Sequence, residues 1–126
     1  MIEAIYIWLS QEFPQYNWIK QSLKKTDPQD YILVIDTGGS VMQWPHPITN
    51  LNIQIITSAV TDERARNFAL DVFNFIDERY DVSLSDGKSD YKFAKIRAID
   101  RPFPLGNDGE GFQYSINYEF ILLPGG

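Results

Sequence analysis

No cysteine occurs in the 126 residues, so disulfides and thiolate metal sites are excluded outright. The absence fits a reducing compartment, and it means that the core holds without covalent staples. Histidine is nearly as scarce. His46, between Pro45 and Pro47, is the only one, whereas a metal centre of imidazole ligands needs two or three. Positive charge is also in short supply: 11 Lys and Arg stand against 17 Asp and Glu, for a formal net charge of -6. A protein that grips nucleic acid needs a dense Lys/Arg surface to displace counterions, and this chain lacks one. An acidic wall beside DNA would instead repel it and leave it mobile. Long apolar runs are missing too. Those present, such as Phe120 to Leu123, fall far short of the ~18–20 residues of a membrane span. Met1-Ile2-Glu3-Ala4-Ile5 carries an acid and no basic stretch, unlike a signal peptide. The expectation is a soluble protein made and used inside a cell, with no membrane partner.

What is present is ordinary for a globular protein: 44% hydrophobic and 22% charged residues. The length fits a single domain, 1–126, burying roughly two-thirds of the surface exposed when unfolded. Ile2, Ile5, Tyr6, Leu9 and Phe13 lie at helical spacing and predict a helix over 2–13, stopped by Pro14. Tyr16 to Ile19 reads as a short strand or a turn, and Lys24 to Pro28 as a loop. Tyr31-Ile32-Leu33-Val34-Ile35 is short and β-branched, a buried strand ended by Asp36-Thr37-Gly38-Gly39-Ser40. Met42 to Asn50, with two prolines, reads as a loop, and Leu51 to Thr57 alternates as a strand with one wet face.

The clearest helix follows, capped by Thr61 or Asp62. Ala65, Phe68, Ala69, Val72, Phe73, Ile76 and Tyr80 share one face of it, with Leu70 and Phe75 at the edges of the stripe. Asp81 to Asp90 is a polar connection holding a short strand at Val82-Ser83-Leu84. Tyr91 to Ile99 is a strand with Phe93 and Ile99 on one side and Ala94, Ile96 and Ala98 on the other. In 112–122, Phe112, Tyr114, Ile116, Tyr118, Phe120 and Leu122 alternate with polar residues, the strongest strand signal in the chain. Arg101 to Gly111 joins these two strands as a long hairpin connection. The fold class is α+β: a mostly antiparallel sheet with a long C-terminal β-hairpin, packed on one face by an N-terminal helix and a central amphipathic helix.

No catalytic constellation emerges. Thr37-Gly38-Gly39-Ser40 follows a strand but matches neither the phosphate loop nor the dinucleotide loop, so it reads as a turn. Asp86 and Asp90 do not fit a calcium loop. Asn107-Asp108-Gly109-Glu110-Gly111 offers oxygen donors but has the composition of a plain turn. No cofactor and no metal is called for, and the expectation is not an enzyme. Lys92, Lys95, Arg97 and Arg101 form a basic stretch, with Lys95, Arg97 and Arg101 on one side by the period of two. They read either as a solvated face paired with acids such as Glu119 or as a salt-bridge surface for a neighbouring subunit. Phe103 and Leu105 sit beside prolines in a connection longer than most. Left wet, they would be costly, so they either fold back on the core or meet a partner. The candidate partner or subunit interface is therefore Arg101, Phe103, Leu105, Asn107 and Asp108, with Lys95 and Arg97 beside it.

Ile96-Arg97-Ala98-Ile99-Asp100-Arg101-Pro102-Phe103-Pro104-Leu105-Gly106, followed by Phe112-Gln113-Tyr114-Ser115-Ile116-Asn117-Tyr118, resembles the C-terminal part of bacteriophage minor capsid proteins of the tail-terminator type, from phages of Gram-positive hosts. The N-terminal helix, the strand before Asp36 and the helix near Thr61 to Tyr80 follow the same layout, but only Ile96 to Tyr118 is specific. The resemblance implies a structural virion protein, assembled in the host cytoplasm. It would form a ring, usually a hexamer, that caps the tail tube, stops its growth and joins tail to head. Its partners would be its own copies, the tail tube protein and the head–tail connector, with DNA passing through the lumen without sequence-specific binding. Competing readings are a head-completion or connector-stopper protein of the same neck, a small ligand-binding or hydrolase domain using Asp36, His46 or the carboxylates, and a phage regulator of nucleic-acid metabolism.

Overall fold

A computed structural model describes residues 2–21, 30–42, 48–107 and 111–123. Its elements run α1 (Ile2–Glu12), β1 (Trp18–Lys20), β2 (Tyr31–Met42), β3 (Ile48–Ala59), α2 (Asp62–Ile76), β4 (Arg79–Ser85), β5 (Asp90–Ala98), β6 (Phe103–Asn107) and β7 (Phe112–Leu122). The sheet order is β1-β2-β3-β7-β5-β4, with β6 also pairing β7. All pairings are antiparallel except β1 with β2.

Alternation decides which side of this sheet is dry. Ile53 and Ile55 on β3 and Ile116, Tyr118 and Phe120 on β7 are fully buried on one face, joined by Ile32 and Val34 of β2 and by Phe93 and Ile96 of β5. Both helices lie on that face: α2 covers β3, β7 and β5, and α1 reaches β1, β2 and β4. Ala65 and Ala69 of α2 are fully buried; as small residues they let the helix approach the strands closely. Thr61 caps α2, its hydroxyl accepting from the Arg64 amide at 3.3 Å, and Asp62 and Glu63 meet the positive end of the helix dipole. The two helices meet through rings: Trp8 and Phe13 of the α1 end lie 5.2 and 5.4 Å from Phe75. The half-buried Phe75 and the exposed Leu70 thus take different roles at the stripe's edges.

Several local expectations need correction. The central helix stops at Ile76 rather than Tyr80. Glu78 takes a left-handed conformation at φ 52°, and Tyr80 goes into β4 opposite Lys95, exposed. Its position four residues after Ile76 is coincidence of spacing. The turn expected after Ile35 is a bulge inside a longer strand: Thr37 is the extra residue between the pairs Asp36↔Ile53 and Gly38↔Asn52. Gly38 accepts φ 109° there, and its amide donates to the Asp36 carboxylate at 2.8 Å. Of the loop expected over 42–50, Met42 belongs to β2 and 48–50 belong to β3, while 43–47 lie outside the described residues. The loop expected at Lys24 to Pro28 lies outside the described residues.

Tyr118 is fully buried, yet its hydroxyl has no hydrogen-bond partner among the described residues. Burial, with the Asp77 and Asp100 charges nearby, pushes its pKa far up, so it stays a neutral phenol. The structure therefore predicts that Tyr118→Phe leaves stability unchanged or raises it by ~1 kcal/mol, because an unmade buried hydrogen bond is a cost. By contrast, Phe120→Ala, which empties the ring position 5.4 Å from Phe93, should lose ~3–5 kcal/mol. Urea unfolding of both variants measures the two effects. A large loss for Tyr118→Phe would mean that its hydroxyl is engaged after all.

Candidate interaction site

The C-terminal hairpin has one continuous arm and one interrupted arm. The continuous arm is β7, which pairs β3 from Thr49↔Leu122 to Ala59↔Phe112. The interrupted arm is β5 followed by β6, both antiparallel to β7. On β5, Ala94 is an extra residue between Phe93↔Leu122 and Lys95↔Ile121. This bulge turns both Phe93 and Ile96 into the core, three residues apart, and corrects the simple alternation expected over 91–99. Ile99 ends the first segment and is exposed, its amide donating to the Asn117 carbonyl at 2.7 Å. The chain then steps away, and Asp100 closes the gap by accepting from the Asn117 backbone and side-chain amides, each at 3.0 Å.

Pairing resumes at Phe103↔Ser115 and ends at Asn107↔Phe112. Much of the expected loop is thus an edge strand, hidden in the sequence by Pro104 and Gly106. Proline fits there because only one side of β6 is paired. Leu105 is the extra residue of a second bulge, with Gly106 at φ 93°. Phe103 is 62% and Leu105 48% exposed, so neither folds back onto the core. Arg101 is exposed at the step between β5 and β6. Asn107 is the last residue of β6, while Asp108 and His46 lie outside the described residues.

The basic stretch resolves largely into internal pairs. Lys95 and Arg97 do share the sheet face away from the helices. Arg97 Nε donates to Glu119 Oε1 at 3.0 Å, and the Lys95 ammonium sits 5.4 Å from the Tyr80 ring centre. Glu119 also accepts from Asn50 Nδ2 at 2.8 Å. The Asn50 bond and the Arg97 guanidinium hold its carboxyl below the usual range. The solvated-face reading therefore describes Arg97 and Lys95 within this chain.

A second feature had no local signal in the sequence. Between α1 and β1 lies an open cleft of about 410 Å³, lined by Tyr6, Ser10, Tyr16, Asn17, Trp18 and Ile19, with Pro14 at one end. Its walls are fixed by internal bonds. The Trp18 indole donates to the Phe13 carbonyl at 2.8 Å, the Tyr6 hydroxyl donates to the Trp18 carbonyl at 3.2 Å, and the Tyr16 hydroxyl donates to Asp71. Burial and the Asp71 bond push the Tyr16 phenol up to about 12. The Glu3–Lys20 ion pair stands beside Tyr6, with the Lys20 ammonium 5.0 Å from its ring centre. The cleft is open to solvent, and polar and aromatic side chains share its lining.

Asp36, the acid named for a hydrolase reading, spends one carboxylate oxygen on the Gly38 amide of its own bulge. Asp86 likewise accepts from the Lys88 and Ser89 amides at 2.9 and 2.8 Å, and these backbone bonds lower its pKa. Among the described residues no group of three or more His, Asp or Glu is placed to hold a metal ion, and no helix is long and apolar enough to cross a membrane. The chain matches no known protein-family model and no curated protein.

The Glu119 cluster carries a pH signature. Because its folded pKa is depressed below the ordinary value of 4.5, its stabilisation is fully present above that pH and is lost as pH falls through the folded value. Glu119→Gln should therefore lower stability at pH 7 and flatten the decline on acidification. Thermal melts from pH 7 to 3 measure this, and an unchanged acid slope would remove Glu119 from the account.

Proposed function

We propose that this protein is a structural component of a bacteriophage tail, a tail terminator. Copies of the chain form a ring, a hexamer by the resemblance, that caps the tail tube, halts its polymerisation and offers a docking face to the head–tail connector. The role needs no catalysis and no cofactor. It places the protein in the virion after assembly in the host cytoplasm, with itself, the tube protein and the connector as partners.

One observation carries the reading. The segment that resembles the tail-terminator family, Ile96 to Tyr118, contains the edge strand β6, with Phe103 and Leu105 held out in solvent. An open edge bearing exposed apolar side chains is a liability in a monomer and an asset in an assembly. A ring requires a heterologous contact, one surface meeting a different surface of the next copy, and a sheet with unlike edges supplies two such surfaces. The net charge of -6 suits a lumen through which DNA slides without being held.

The mass in solution by light scattering, with negative-stain images of the same sample, tests the proposal in the presence and absence of tail tubes. Rings, free or seated on tube ends, are expected. Replacing Phe103 and Leu105 together with Ser should leave the melting curve in place and abolish ring formation and capping. A double variant that still caps tubes at normal length would remove β6 from the interface. A monomer that binds the portal side and ignores tubes would point to a connector-stopper instead.

A further inference from the structure

We propose that β6 is a latch: it leaves β7 while the rest of the fold stays closed, and the edge it bares takes the β6 of a second copy of this chain. The inference rests on the self-assembly reading above and names the parts that copies exchange. Burial sets β6 apart. Phe103, Pro104, Leu105 and Gly106 are all exposed, and none of them belongs to the core or packs against it. What holds these residues in place is backbone pairing, broken by a bulge between Pro104 and Gly106, and Pro104 has no amide to contribute. A segment without buried apolar contacts opens at far less cost than the whole fold. β7 is the opposite case. Beside β6 it buries Tyr114 and Ser115, and it stays paired to β3 from Phe112 onward, so it remains in place when β6 departs.

Both ends of the latch are fixed. Before it, the Ile99 amide donates to the Asn117 carbonyl, and Asp100 accepts from both Asn117 amides. After it, Gly111 is buried and Phe112 pairs with Ala59. Ten residues lie between Asp100 and Gly111, enough chain to loop ~15 Å out and back, roughly three strand spacings. The released strand and the bared edge are complementary by construction. Phe103 stands opposite Ser115, Pro104 opposite Tyr114, Gly106 opposite Gln113 and Asn107 opposite Phe112. A second copy carries the same strand and the same edge, so the pairing lost within one copy is regained between two. Exchange of an identical element is for that reason a low-cost route to assembly. The closed form offers no such route, because the outer side of β6 meets a foreign strand with a proline and a bulge. Opening turns an edge that refuses strands into one that accepts a particular strand.

Hydrogen exchange of the full chain, read amide by amide, tests the opening. The amides hydrogen-bonded between β6 and β7 are expected to exchange ~100-fold or more faster than those between β7 and β3. Comparable protection of the two sets would overturn the latch. The absence of cysteine lets the exchange between copies be trapped. Single variants Phe103→Cys and Ser115→Cys, which stand opposite one another in the closed pairing, are mixed and mildly oxidised with and without tail tubes. Leu105→Cys and Gln113→Cys form a second such pair that leaves Phe103 intact. The expected result is a disulfide between unlike chains, in several-fold excess over either like pair. Rings on tubes without that disulfide from either pair would overturn the exchange while sparing the tail reading. The disulfide in a protein that never caps tubes would sustain the exchange and remove the tail reading. No disulfide and no ring would overturn both.

Discussion

Strand β7 holds a hydrogen-bonded neighbour on both sides, with β3 running along its whole length on one side and β5 and β6 sharing the other. Everything else is arranged around the face it buries. Ile116, Tyr118 and Phe120 meet Ile53 and Ile55 of β3 beneath the Ala65, Ala69, Val72 and Ile76 stripe of α2. Because side chains alternate with a period of two, a slip of one residue in β7 would expose all of these and bury Gln113, Asn117 and Glu119 instead. Each large apolar side chain in that row is worth ~1.5–3 kcal/mol of burial, so the register is strongly enforced. That enforcement fixes where β5 ends, where β6 resumes, and therefore where Phe103 stands.

The parts of the fold legible in the sequence are those where one period runs long enough to exclude the others. The alternation over 112–122 and the three-and-four spacing from Ala65 to Ile76 give the central layer of strands and helix correctly, and α1 and the α+β class with them. Legibility fails where tertiary pairing overrides local pattern. Gly38 and Gly106 look like turn residues and instead serve bulges inside strands. Pro104 looks like a loop residue and sits in an edge strand. Ala94 is an ordinary strand residue whose bulging lets Phe93 and Ile96 share a face. Nothing local marks Ile76 as the last residue of α2, because the apolar spacing continues through Tyr80 while the backbone does not.

The candidate site was half visible for the same reason. Phe103 and Leu105 are neighbours in sequence, and their apolar character in a turn-rich stretch is a local anomaly. The basic residues beside them were visible as well, and so was one of their uses: Arg97 pairs with Glu119, an acid the sequence offered, whereas nothing local places Lys95 over Tyr80. The cleft was invisible. Tyr6 comes from a helix, Trp18 from a three-residue strand, and what joins them is the parallel pairing of β1 with β2, which no periodicity announces. Asp71, which holds Tyr16 in place, comes from a third element still further along the chain.

The sheet's edges differ in how they refuse partners, and the difference bears on how copies of this chain would meet. β4 places the charged Arg79 and the left-handed Asp81 along its edge, devices that discourage strand addition. β1 is only three residues long and offers a foreign strand little to pair with. β6 blocks backbone pairing with Pro104 and the Leu105 bulge, yet leaves its side chains bare. An edge protected against ladders but not against side-chain contact favours neighbours that meet its side chains over strands that would extend the sheet. The exposed Phe103 and Leu105 side chains and the Pro104 between them thus work together on this edge: the proline and the bulge oppose backbone pairing while the apolar side chains stay open to contact.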